Sequence, residues 1–223
     1  MAAIVCDSSS LISLSETCNI EALNFLAGKG TRFLIPPAVR NEIISTPLKI
    51  RKYQFSALRL RKVLDQKVLQ IQGNRETQAK ANRFLAITNS LFSVEGKPLK
   101  LVHEGEAECV GLLQQGMADA LLMDEKTTRL LLEDPEKLLE RMKSEYEEKI
   151  RVNQKNLQEL EKMARNTTII RSAEVLAVAA EKGFFKDFGR GEQEALHAGI
   201  YALKEAGCSL SSNEIKDYET VKV

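Results

Sequence analysis

Two short apolar runs in this chain, "AAIVCD" (2–7) and "ADALLMD" (118–124), each stop on an aspartate. Runs of this length without polar alternation fit strands buried on both faces, as in a parallel sheet. A carboxylate at the end of such a strand is desolvated, which costs free energy unless something compensates it. In an open parallel sheet the ligand crevice lies beyond the carboxyl ends of the strands. The chain is thus expected to bring acids to one sheet edge for a chemical reason.

The rest of the pattern supplies the sheet. After "AAIVCD" the serines Ser8–Ser10 suit the start of a helix. "NIEALNFLAGKG" continues as helix and closes on Gly28 and Gly30. "TRFLIPP" reads as a second strand, stopped by Pro36-Pro37, and "AVRNEIIS" as the following helix. Strand, helix, strand, helix predicts α/β architecture with right-handed crossovers. Residues 48–92 read as two helices broken at "QGNRE". "KPLKLVH" (97–103) reads as a third strand, "GEAECVGLLQQG" (105–116) as a helix, and "NTTIIRS" (166–172) as a final strand before two closing helices. Asp119 is read as capping the entrance of its strand. Leu139, Met142, Tyr146, Leu157, Leu160 and Ala164 approach heptad spacing. That pattern predicts an inserted helix or helical hairpin at 133–165, projecting from a single domain spanning 1–223.

Several chemistries are disfavoured. The chain has 223 residues, a formal net charge of +1 and two histidines, His103 and His197. HExxH zinc sites and Ser-His-Asp triads are hard to build from so few imidazoles. The four cysteines form no CxxC pair, so a zinc ribbon or disulfide framework is not expected. Reduced cysteines, no secretory leader and no apolar run of membrane-spanning length place the chain in the cytoplasm, with no membrane partner.

The acids that topology delivers to one edge are Asp7 after the first strand, Glu42 after the second, Glu106 at the "GEAE" helix start, and Asp124 after "ALLM". Glu108 and Glu125 stand close to two of them. Each close pair of carboxylates repels by about 4 kcal/mol at an effective dielectric near 20. Raised proton affinity or a bound divalent cation is the compensation available. Oxygen-only ligation favours Mg²⁺ or Mn²⁺, ions that activate water and stabilise charge on a phosphoryl oxygen.

These segments resemble the PIN domain ribonucleases. "IVCDSSSLI", "IPPAVRNEI", "VHEGEAECVGLL" and "ALLMDEKTTR" occur in the family's order and context, most like the toxin-type branch whose third acid lies in a Gly-Glu-x-Glu helix start. The likeness continues through "NTTIIRSAEVLAVAAEKGFF" and covers about two thirds of the chain. It implies a three-layer α/β/α sandwich with a parallel sheet. It also implies metal-dependent endonucleolytic cutting of single-stranded RNA, leaving a 5′-phosphate and a 3′-hydroxyl. Carried over, the catalytic acids are Asp7, Glu42, Glu106 and Asp124. Asp7, Glu106 and Asp124 are the metal ligands, and Ser8, Ser9, Glu108 and Glu125 have possible secondary roles. Many relatives carry Ser or Thr just before the fourth acid, where this chain has Met123.

A basic excess falls on one segment. Lys49, Arg51, Lys52, Arg59, Arg61 and Lys62 lead a run opposed only by Asp65 and Glu76. A solvated helix face accounts for such a run, and so does a clamp for the RNA backbone. The stripe at 133–165 leaves open packing on its own domain or a protein partner or self-association. The alternative to an enzyme is a catalytically silent PIN-like RNA-binding or scaffold protein. A receiver-type phosphoacceptor is disfavoured, because the expected third strand ends on His103 and Glu104.

Overall fold

The computed structural model describes residues 2–146, 150–165, 167–221 and 223. The chain runs through β1 (Ala3–Cys6), α1 (Ser8–Glu16), α2 (Glu21–Gly28), β2 (Arg32–Ile35) and α3 (Pro37–Arg40). A π-helical turn, Asn41–Ser45, and two 3₁₀ turns, Pro47–Lys49 and Arg51–Tyr53, lead into α4 (Gln54–Asp65), β3 (Leu69–Ile71) and α5 (Arg75–Thr88). Then come β4 (Phe92–Val94), β5 (Lys97–Pro98), α6 (Glu104–Gln114), β6 (Ala120–Leu122), α7 (Lys126–Glu133) and α8 (Pro135–Glu145). The remainder is β7 (Ile150–Val152), α9 (Gln154–Ala164), β8 (Ile169–Ile170), α10 (Ser172–Glu181), α11 (Glu192–Glu205) and α12 (Ser212–Glu219).

The main sheet has five strands, all parallel, in the order β3-β2-β1-β6-β8. The chain steps outward from β1 through β2 to β3, then returns to the other side of β1 with β6. Right-handed crossovers therefore put α1, α2 and α4 on one face and α5 and α6 on the other. α10 follows β8 and packs on α1 and α2. This is the α/β architecture that the pattern predicts and the α/β/α sandwich that the resemblance implies. Val5, Phe33, Ile35, Leu121 and Leu122 are fully buried between the helical layers, which is why these strands read as continuous apolar runs. The reversal of strand order falls between β1 and β6, where Cys6 pairs with Leu122. Crevices form at such a reversal.

Two expectations are corrected. The third parallel strand is not 97–103 but Leu69–Ile71, inside a segment read as helix. Only Lys97–Pro98 of "KPLKLVH" is strand, and it pairs antiparallel with β4. Beyond it the Asn89 side chain replaces a strand neighbour: its Oδ1 accepts from the N–H groups of Leu101 and Val102, and its Nδ2 donates to the Val102 carbonyl. Three-residue strands carry too few residues for a periodicity signal.

The second correction concerns 133–165. Its described residues form α8, β7 and α9, not a projecting helical arm; residues 147–149 lie outside the description. β7 pairs antiparallel with β4 and completes a small three-stranded sheet. Met142 and Leu160 are buried and Leu139, Leu157 and Ala164 pack against the core, so the apolar stripe, apart from the exposed Tyr146, faces its own chain. Residue 166 of the predicted last strand is also outside the description, and β8 is Ile169–Ile170. Among the described residues, no helix is long and apolar enough to cross a membrane.

Candidate active site

Asp7 follows β1 and caps α1. Its Oδ2 accepts from the Ser9 N–H at 3.0 Å and the Ser9 hydroxyl at 2.6 Å. Its Oδ1 is buried and has no hydrogen-bond partner among the described residues. Burial pushes the Asp7 carboxyl up to about 6, with the charge of Glu42 adding to it and the bonds from Ser9 and the Ser8 N–H opposing. The Asp7 N–H donates to the Leu122 carbonyl, which ties the turn to β6.

Asp124 follows β6 and is as deeply buried as Asp7. Its N–H donates to Ser9 Oγ at 3.2 Å, so one hydroxyl joins the two aspartate turns. The Asp124 carboxylate turns toward α10: Oδ1 accepts from the Ser172 N–H at 2.8 Å and Oδ2 from the Ser172 hydroxyl at 2.7 Å. The hydroxyl that Met123 lacks next to this acid is thus present in space from Ser172. Met123 itself is core.

Glu106 sits in the first turn of α6. Its Oε2 accepts from the His103 N–H at 2.7 Å and its Oε1 from the Thr128 hydroxyl at 3.0 Å. Burial first, and then the charge of Asp7, pushes its carboxyl up to about 8.

Glu42 stands on the π turn, whose i→i+5 bond runs from the Thr46 N–H to the Asn41 carbonyl at 3.0 Å. Such single turns inside helices are frequent at functional sites. The Glu42 carboxylate lies against Gly105: a Cβ there would stand 2.7 Å from Oε1. Asp7, Glu42 and Glu106 therefore share an electrostatic neighbourhood, and Asp124 joins it through Ser9.

The neighbouring residues divide differently. Ser9 is a bridge. Ser8 adds a backbone N–H near Asp7. Glu125 caps α7, its oxygens accepting from the Thr127 and Thr128 N–H groups. Glu108 accepts from the Ala38 N–H at the start of α3, and burial raises its carboxyl above the ordinary value. Asp119 takes the Ala3 N–H at the opposite end of β1. The His103 side chain is exposed.

Sequence reasoning missed Ser172, Thr128 and Arg171. Ser172 and Thr128 hold acids through their hydroxyls. Arg171, buried, bonds Glu174, Glu214 and the Ser209 carbonyl, fastening α12 beside the turn that holds Asp124. A signal existed in "RSAE", where a hydroxyl follows a strand and a glutamate stands three residues after Arg171. "HEGE" has the same glutamate spacing from His103, and both glutamates accept from the residue before their helix.

The site supplies oxygen donors alone, which suits a hard divalent cation. Among the described residues, no three His, Cys, Asp or Glu side chains stand together as a ready metal cage. The Asp7 Oδ1 without a partner among the described residues and the raised proton affinities of Asp7 and Glu106 mark a place where negative charge is buried with little compensation.

The basic segment is partly committed. Arg59 donates to the Ser15 carbonyl at 2.7 Å, and Lys62 pairs with Glu21 at 3.2 Å. Lys49, Arg51, Lys52 and Arg61 are exposed and form no salt bridge among the described residues.

A family model described as a PIN domain matches residues 3–137. The match contains Asp7, Glu42, Glu106 and Asp124 and stops before Ser172. Neither the curated proteins nor the solved structures compared with this chain match it.

Proposed function

The chain belongs to the PIN domain family, whose members are generally nucleases, and from that premise we propose a metal-dependent endoribonuclease that cuts single-stranded RNA. The Gly105-Glu106-Ala107-Glu108 helix start supports a place near the toxin-type branch. One observation carries the reading most: Asp7 is a buried carboxylate with one oxygen unpartnered among the described residues, set beside a second buried acid, Glu106, whose proton affinity it raises.

Asp7, Glu106 and Asp124 would hold Mg²⁺ or Mn²⁺, with Glu42 completing the acid set. A divalent cation supplies Lewis acidity there, lowering the pKa of water and stabilising charge on a phosphoryl oxygen. The chain's own residues do the positioning. Ser9 fixes the Asp7 and Asp124 turns relative to each other, Thr128 orients Glu106, and Ser172 orients Asp124. Glu42, half-buried, would help through the metal or its water. The four free cysteines, three of them buried, suit a reducing cytoplasm.

A second reading, a catalytically silent RNA-binding or scaffold protein, has one observation in its favour: both Asp124 oxygens are already engaged by Ser172. Cleavage of a labelled single-stranded RNA in Mn²⁺, Mg²⁺ or EDTA separates the two. The enzyme cuts only with metal, and Asp7→Asn and Asp124→Asn lose the activity. A protein that binds varied RNAs but cuts none is the scaffold.

A further inference from the structure

The acid site leaves one surface unexplained. A groove of about 250 Å³ runs between α1 and α4, lined by Ile12, Ile43, Pro47, Ile50, Tyr53 and Leu60, with Glu16 as its one carboxylate. Its origin is local. Between the π turn and α4 the chain makes two 3₁₀ turns around Ile50, which is extended at φ −119°, ψ 109°. Turns this short cannot bury all their apolar side chains, and Ile50 and Tyr53 remain 45% and 41% exposed. Phe55 follows at 65%. Each ring carries a cation on one face: Lys52 Nζ lies 5.2 Å from the Tyr53 centroid, and the Arg59 guanidinium 4.3 Å from that of Phe55.

The groove shares two elements with the acids. Ile43 is the residue after Glu42, and Ile12 lies on the helix that Asp7 caps. Its surroundings are basic through Lys49, Arg51, Lys52 and Arg61.

We propose that this groove is a subsite for one unpaired base of the RNA strand, resting on the nuclease reading above. The base lies against Tyr53 and Ile50, and the flanking phosphates meet Lys49, Arg51, Lys52 and Arg61. Every base presents an apolar π face, so such a subsite accepts RNA without choosing sequence. The cations add affinity and fix the strand's register on the protein without reading bases. A duplex keeps its bases stacked inside and cannot fill the groove, which makes the groove a selector for single strands. A docked protein helix is the poorer fit, because it anchors through residues at i, i+4 and i+7 over two turns. A cavity of about 250 Å³ takes one anchor.

The test is binding in EDTA, where cutting does not intervene. A fluorescent single-stranded RNA is compared with a fully abasic strand of the same length, on wild type, Tyr53→Ala and Tyr53→Phe. Tyr53→Ala is expected to weaken the intact strand by about 5- to 100-fold and leave the abasic strand unchanged, with Tyr53→Phe close to wild type. Lys49→Ala and Arg51→Ala are expected to weaken both strands alike and to flatten the salt dependence. Equal effects of Tyr53→Ala on both strands, or none on either, overturn the subsite while metal-dependent cutting leaves the nuclease reading standing. A chain that cuts and binds no RNA overturns both. A protein ligand that depends on Tyr53, with no base preference, overturns the subsite in favour of a protein contact.

Discussion

Ser172 holds Asp124 with two groups at once, its N–H on Oδ1 at 2.8 Å and its hydroxyl on Oδ2 at 2.7 Å. The backbone bond survives Ser172→Ala and Ser172→Thr, so the hydroxyl's share can be isolated. Ser172→Ala is expected to cost about 1–3 kcal/mol, because a buried carboxylate oxygen loses a charge-assisted bond. It should also lower cleavage by about tenfold, as the carboxylate gains freedom to turn. Ser172→Thr keeps the hydroxyl and should recover most of both. Urea unfolding and initial cleavage rates on the three proteins check this. Equal activity in all three would remove Ser172 from the site.

The contact of Gly105 with Glu42 separates placement from stability. A Cβ at 105 would meet the mobile end of Glu42, 2.7 Å from Oε1, and a side chain can move aside. Gly105→Ala should therefore change stability by less than about 1 kcal/mol while displacing Glu42 and lowering cleavage. Gly111→Ala is the contrast. Its Cβ would stand 2.7 Å from the Thr77 backbone carbonyl, so α5 and α6 would have to separate. That overpacking should cost about 1–3 kcal/mol. Denaturation midpoints and rates measured on both variants check the pair.

What the sequence shows and hides follows from how each feature is encoded. β1 and β6 are legible because each is a continuous apolar run ended by an acid. The convergence of Asp7, Glu42, Glu106 and Asp124 is legible because topology and family order both bring them to one edge. β3 is not, since its residues "LQI" lie between two strong helical patterns. The 133–165 segment misleads because Leu139, Met142, Leu157 and Leu160 have the spacing of a free helical stripe whether they face a partner or their own domain. Ser172 and Thr128 are hidden for another reason. Their partners lie 48 and 22 residues away in the chain, and only the fold brings them together.

Arg171 is expected to govern the C-terminal helix. Burial alone would raise the Glu174 carboxyl, yet bonds from the Arg171 guanidinium and the Tyr218 hydroxyl hold it below the ordinary value. Arg171 is buried but its partners Glu174 and Glu214 are partly exposed to solvent, which screens the charge left behind, so Arg171→Met should destabilise by about 1–3 kcal/mol. A depressed acid contributes stability present above its unfolded value, near 4.5, and lost as pH falls through its folded value. Wild type and variant should therefore draw together in acid. Urea midpoints measured from pH 7 to pH 3 check this, and a gap that stays constant would contradict it.

The acid pair predicts the opposite pH dependence without metal. Asp7 rises from 3.8 to about 6 and Glu106 from 4.5 to about 8. A raised acid favours the folded state in its protonated form. That stability is fully present below the unfolded values and is lost as pH climbs through the folded ones. In EDTA the melting temperature should fall between about pH 4 and pH 8. Asp7→Asn removes one charge from the set, so it should flatten that fall. It should also raise metal-free stability at pH 7.5 by on the order of 1–3 kcal/mol, since each pKa unit is about 1.4 kcal/mol. Mn²⁺ or Mg²⁺ should reverse the fall in wild type, most strongly at high pH where both acids are ionised, and should release protons on binding. Melting curves of wild type and Asp7→Asn across this range, with EDTA and with each metal, read all three effects. A wild-type curve in EDTA that is level or rising would show that the two carboxylates do not strain one another, and the case for a cation between them would fall with it.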